Sequence, residues 1–288
     1  MRLALALVAV GCTHAANHGT QVSLRAACNA GSYWNGHACA AAGDAPKQLE
    51  VGAPAIASQD VDAIAAAVGA AEKAGPLDYT SNIRLWEERG IGLAYGDDDP
   101  GAKTAFDMML ALDPGHVLSY RLSPKATLVF EEVRKAGPTA PAIDVNWTRG
   151  QKVGDPLPSD IEVISDPKKF LDRATLFVRS RGEASWHATD LVLAKAKTIV
   201  LPPIHSDKPV SLELYLRAYD SHDNEVLTWA DPNHPRELAL RYEPPNPWYR
   251  NWWVWAIGGS ALAVATGITV YELTIAPPDT IGGSAMIK

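Results

Sequence analysis

Apolar residues recur along this chain with three different rhythms. Between residues 58 and 136 they fall three and four apart, the spacing of helices that bury one face. The first helix is predicted from near Ser58, with Asp60 and Asp62 in its opening turn. Val61, Ile64, Val68 and Ala71 lie on its buried side, Lys73 near its end, and Gly75-Pro76 stops it. A second is predicted from about Ser81 to Tyr95. A third opens at Asp99-Pro100 and ends at Asp113-Pro114, and a fourth opens at Ser123-Pro124 and ends before Gly137-Pro138. From Pro141 the pattern turns to alternation. Ile143, Val145 and Trp147 face one way, and Leu176 and Val178 lie on a later strand. Val210, Leu212, Leu214, Leu216 and Ala218 then alternate with Ser211, Glu213, Tyr215, Arg217 and Tyr219. Ile161–Ile164, Thr198–Leu201, Val226–Trp229 and Leu238–Tyr242 complete a set of short strands with turn signals between them, a β-sandwich pattern. The third rhythm is an unbroken apolar run, Trp252 to Tyr271, without one charge.

The predicted fold class is therefore α + β and multidomain. A leader occupies residues 1–12 and a small-residue linker 13–54. A helical domain spans 55–138, a β-sandwich 141–243, a single transmembrane helix 252–272 and a short tail 273–288. Within the helical part, Trp86, Gly90, Ala102, Phe106 and Pro114 stand at the spacing of a tetratricopeptide repeat, which this segment resembles. Arg89, Leu93 and Met109 depart from that pattern. The resemblance implies a protein-binding scaffold and makes these five residues candidates for the repeat's packing and partner groove. One repeat cannot bury its own apolar face, so flanking helices must complete it. A plain four-helix packing unit without a groove is the alternative. The strand order resembles a fibronectin type III or immunoglobulin-like module, without the antibody form's internal disulfide.

At the N-terminus, Arg2 precedes an apolar stretch, Leu3 to Val10, too short to span a bilayer. Ala9-Val10-Gly11-Cys12 resembles a bacterial lipobox, which implies lipidation of Cys12; an ordinary cleaved signal peptide is the alternative. At the other end, Trp248, Tyr249, Trp252, Trp253 and Trp255 mass before and into the apolar run, as aromatic rings do at a membrane interface, with Tyr271 at the far boundary. Gly259, Ala263 and Gly267 are four apart, a spacing that lets a second helix approach.

The net charge of −7 gives no basic face for nucleic acid. The three cysteines are Cys12, Cys28 and Cys39, which fits one for lipid and a Cys28–Cys39 disulfide in an exported chain. The loop between the pair presents Tyr33 and Trp34. No catalytic motif is present, and no metal or cofactor is expected; Asp97-Asp98-Asp99 reads as a helix cap. The expectation is a non-catalytic scaffold of the cell envelope, anchored in the inner membrane with its domains in the periplasm, binding an envelope protein through the helical domain. The alternative is a cell-wall or polysaccharide binder using Tyr33 and Trp34 or Trp147, Trp186 and Trp229.

Overall fold

The computed structural model describes residues 19–244 and 247–257. It divides into two compact units, Met1–Tyr242 and Glu243–Lys288.

The first unit begins with strands β1 (Thr20–Gln21), β2 (Arg25–Ala26), β3 (Ser32–Trp34) and β4 (Cys39–Ala41). Five helices follow: α1 (Ala45–Ser58), α2 (Val61–Ala74), α3 (Tyr79–Tyr95), α4 (Asp99–Leu112) and α5 (Pro124–Ala136). The remaining strands are β5 (Ala142–Trp147), β6 (Leu157–Ser165), β7 (Arg173–Ser180), β8 (His187–Val192), β9 (Ala196–Leu201), β10 (Val210–Tyr219), β11 (Glu225–Trp229) and β12 (Arg236–Leu240).

Helix starts are set by side-chain caps. Asp60 accepts from the Ala63 amide at 3.1 Å, Asp78 from Ser81 at 2.8 Å and Asp98 from Gly101 at 3.0 Å. Each satisfies one of the amides that the first turn leaves without a helical partner. The middle acid of Asp97-Asp98-Asp99 is thus a cap. Helices α3 and α4 fold back as a hairpin around Phe106, which is fully buried and meets Phe130 of α5 edge-on, with ring centroids 5.6 Å apart. Gly90 makes that approach available, since a Cβ there would lie 2.6 Å from the Phe106 ring.

Helix α1 lies where the sequence predicted linker. Its prolines and Gly52 read as breakers, yet Pro46 sits in the first turn, where a missing N–H costs nothing. Burial of Ala45, Leu49 and Ala55 against Ile64, Val68 and Ala71 of α2 outweighs the interior Pro54.

Apart from the two-stranded β3–β4 hairpin, the described strands form two sheets. One has the order β1-β9-β6-β5; the other runs β11-β10-β7-β8-β2, with β12 also on β10. Strand β10 is the pivot. It pairs along Leu212–Tyr219 with β7, while its opposite edge is shared by β12 (Val210 to Leu214) and then β11 (Leu216 to Tyr219). Leu212, Leu214, Leu216 and Ala218 turn inward and join Ile143, Val145, Ile161 and Ile199 of the other sheet in one core. That core continues into the helices through Ile91, Phe106 and Phe130. The supposed tether closes both sheets: β1 runs parallel to β9, and β2 antiparallel to β8. Such two-residue strands carry too little pattern to be legible in advance.

In the second unit, Trp248–Arg250 form a 3-10 turn and residues 252–257 are helical. Among the described residues no helix is long and apolar enough to cross a membrane. This corrects the expected transmembrane helix at 252–272, together with the membrane span in the fold class. The aromatic residues flank an apolar run, the pattern that reads as a membrane interface in the sequence. Among the described residues, 252–257 are helical, and Trp252, Trp253 and Trp255 are exposed on that segment. Residues 258–272 and the 273–288 tail lie outside the described residues, as does the 1–12 leader.

Phe106→Ala is expected to cost about 3–5 kcal/mol by denaturant unfolding, because nothing else fills the volume between three helices. Gly90→Ala alone is expected to cost about 1–3 kcal/mol by pressing on the ring. In the Phe106→Ala background the same change becomes nearly neutral, a coupling that a double-mutant cycle would measure.

Candidate functional site

The repeat-pattern residues are packing residues. Gly90, Ala102 and Phe106 are buried between α3 and α4; Trp86 is half-buried, with the Arg89 guanidinium 4.8 Å from its ring. Pro114 is exposed in the loop after α4. None of the five lines either of the two concave regions described next. Cys28 and Cys39 are bonded to each other, and the loop they close folds as the β3–β4 hairpin. Tyr249, Trp252, Trp253 and Trp255 are exposed in the second unit, where Trp248 belongs to the 3-10 turn. Cys12, Gly259, Ala263, Gly267 and Tyr271 lie outside the described residues.

Two concave regions of the first unit carry candidate chemistry. The first is an apolar groove of about 330 Å³ across α2 and α3. Val61, Ile64, Ala65, Val68 and Gly69 form one wall, and Gly92, Leu93 and Gly96 the other. Small residues keep it open: Gly69 has nothing within 4 Å of where a Cβ would stand. Its rim is charged, with the Arg89–Glu72 ion pair along one side and Asp98 at one end. The sequence placed Val61, Ile64 and Val68 on the buried side of their helix, but the groove needs two helices placed side by side.

The second is a cleft of about 390 Å³ between the disulfide-closed loop and the outer face of the second sheet. Strands β7 and β10 present Arg173, Thr175, Phe177 and Arg179 beside Tyr219, Arg217, Tyr215 and Glu213, in register. Phe177 and Tyr215 stack at 4.4 Å and 4°. Trp186 meets Tyr215 edge-on at 4.7 Å, with the Arg179 guanidinium 4.1 Å from the Trp186 ring. Arg25 lies 4.0 Å from the Trp34 ring and Arg173 lies 4.3 Å from the Tyr219 ring. Every one of these arginines also has a carboxylate: Arg25 with Asp190 at 2.9 Å, Arg173 with Asp223 at 2.7 Å and Arg179 with Glu213 at 2.6 Å. Arg217 Nη1 is 3.3 Å from Glu225 Oε2, while its Nε is buried without a partner. Trp147 and Trp229 pair edge-on with each other at 6.3 Å and share no surface with this cleft. The three sandwich tryptophans therefore make no common platform. Two tyrosines and an arginine on the nominally polar side of β10 were the available signal for the site.

Burial sets the electrostatics here. It pushes the Tyr215 hydroxyl up to about 12, and it raises Glu225 and Tyr219 above their ordinary values. In the helical layer Glu88 is raised by burial too: Oε1 accepts from Arg84 Nε at 2.8 Å, but Oε2 is buried without a partner. His116 is raised chiefly by Glu87, whose Oε2 lies 3.2 Å from Nε2, close enough for an ion pair though not aligned as a hydrogen bond. Asp113 flanks its other nitrogen at 3.5 Å. Among the described residues no group of three or more His, Cys, Asp or Glu is placed to hold a metal ion.

No family model matches the sequence, and no curated protein compared with it is a match. Among solved structures, the cohesin module from a Clostridium perfringens family 33 glycoside hydrolase aligns with 36% of this chain and 98% of its own length. It does so at 9% identity and a TM-score of 0.24. A likeness that slight carries no argument about fold or activity.

His116 supplies a pH test. Its folded pKa stands above the unfolded value of roughly 6.5, so its contribution to stability is complete below that value and is lost as pH rises through the folded one. His116→Gln is expected to remove this decline from the pH profile of the unfolding midpoint, leaving the acid side of the profile unchanged.

Proposed function

We propose that the chain is a non-catalytic binding protein of the exported cell envelope, whose helical layer holds a segment of a partner protein. The groove across α2 and α3 carries the proposal. It is walled by apolar and small residues, and the acidic run Asp97-Asp98-Asp99 stands at the end where Gly96 and Asp98 line it. The occupant that suits it is an amphipathic helix whose apolar stripe fills the groove and whose flank carries lysine or arginine toward that acidic end. A groove of this size admits a few anchoring side chains, the scale on which such helices are usually held.

The compartment is supported by the Cys28–Cys39 bond, since such bonds persist where thiols are not kept reduced. It agrees with the leader expected at residues 1–12, in which lipid on Cys12 would provide the tether. The binding reading is supported over catalysis by how the shifted groups are used. Glu88 and Glu225 each face an arginine in packing, and His116 sits between two carboxylates at the end of α4.

A photocrosslinking residue at Ala65, in the full-length chain within producing cells, is expected to trap one protein through a basic amphipathic segment. The same residue at Thr104, exposed on α4, is expected to trap none of it. Gly69→Glu should reduce the Ala65 adduct by about tenfold or more while leaving the unfolding midpoint in place. Equal adducts from both positions, or an Ala65 adduct indifferent to Gly69→Glu, would remove the groove from the account.

A further inference from the structure

We infer that the cleft beneath the disulfide-closed loop is a binding site for a neutral oligosaccharide, independent of the helical groove. A sheet face that merely meets solvent carries polar side chains with their ends in water. This one instead holds stacked aromatic rings and partly buried ion pairs, and a cleft remains open above them. Its volume, about 390 Å³, lies in the range of small-ligand sites.

The chemistry of the lining narrows the ligand. Arg25, Arg173 and Arg217 line the cleft together with Asp78, Asp223 and Glu225, so its formal charges cancel. A balanced site gives a strongly anionic or cationic ligand no electrostatic advantage. What it offers is donors and acceptors side by side. Arg173 directs both Nε and Nη2 to the same oxygen of Asp223, at 2.9 and 2.7 Å, so the second oxygen is not used by that pair. Arg217 lines the cleft as well, with its Nη1 3.3 Å from Glu225 Oε2. A sugar ring has hydroxyls at its edge that both donate and accept, and C–H faces that pack on aromatic rings. Tyr33 and Trp34 stand on the loop side of the cleft, half-buried, where such a face would rest.

The loop that carries those two rings is held from both ends. Its disulfide closes it, and Arg25, whose guanidinium lies against Trp34, is fixed to Asp190 by two bonds of 2.9 Å from Nη2 and one of 3.1 Å from Nε. A ligand would therefore meet a formed surface and lose little affinity to ordering it.

The test titrates the full-length chain with cellohexaose and with chitohexaose, followed by tryptophan fluorescence and calorimetry. At least one of the two is expected to bind with a dissociation constant below about 1 mM, and raised salt should not release it. Trp34→Ala and Tyr33→Ala should each weaken binding by about tenfold or more. Both lie on the loop, and an unchanged unfolding midpoint would show that the rest of the fold is intact. Tyr120→Ala, on an exposed ring away from the cleft, should leave binding unchanged. The inference is overturned if neither hexaose binds, if binding ignores both loop variants, or if only a polyanion such as heparin binds and salt releases it. Loss of the Ala65 crosslink would leave this result untouched, so the two readings fail separately.

Discussion

A short stretch of backbone, Leu77, holds the helical layer and the sheets to one another. Its amide donates to Asn224 Oδ1 at 3.0 Å, and its carbonyl accepts from the Glu225 amide at 2.9 Å. The Asn82 side chain, buried on α3, then donates to the Glu225 carbonyl at 3.1 Å. Buried polar groups must find partners, so these three bonds leave little freedom in how α3 meets the start of β11. Asp78 caps α3 directly after Leu77, and Glu225 opens β11 beside Arg217. The helix that forms one wall of the apolar groove and the carboxylate that faces the cleft are thus set by the same junction.

The outer face of the second sheet shows how much charge a sheet can cover when each charge is matched. Removing an ion pair from water costs several kcal/mol per ion, and the loss is offset only when geometry and further hydrogen bonds are good. Here the guanidiniums gain on two sides, from a carboxylate and from an aromatic ring. Arg179 lies between Glu213 and Trp186, and Arg173 between Asp223 and Tyr219. Such an arrangement specifies register, because a one-residue slip of β10 would send Tyr215 and Arg217 into the apolar core. The same pairs that fix the strand leave the cleft neutral.

The sequence conveyed the periodic elements well and the contacts between them poorly. Helices α2 to α5 were legible because caps, prolines and apolar spacing agreed, as at Asp98, Pro100 and Phe106. The alternation of β10 was legible for the same reason. Helix α1 was not, because two prolines and a glycine speak against a helix whose support comes from tertiary burial of Leu49. β8 was missed because His187 and Asp190 interrupt its apolar residues. Phe106 and Trp86 were legible as pattern residues but not in how deeply each is buried, since a motif gives spacing and not exposure. The cleft joins residues from Arg25 to Glu225, and no local pattern spans such distances. At the C-terminal end the unbroken apolar run read as a membrane span, and among the described residues no helix is long and apolar enough to be one.

The pairing of β1 with β9 and of β2 with β8 has a consequence for when the fold can be completed. Thr20 is matched to Ile199, and Arg25 to Ala188, so the earliest described residues wait on strands made midway through the sandwich. Contacts of such high sequence separation carry a loop-closure cost that is recovered only after the intervening chain is ordered, and they slow folding. As the chain is made, more than half of it must follow β1 and β2 before their partner strands exist. The aromatic face and the last sheet edges are then covered in one late event, and an interrupted chain would expose both together.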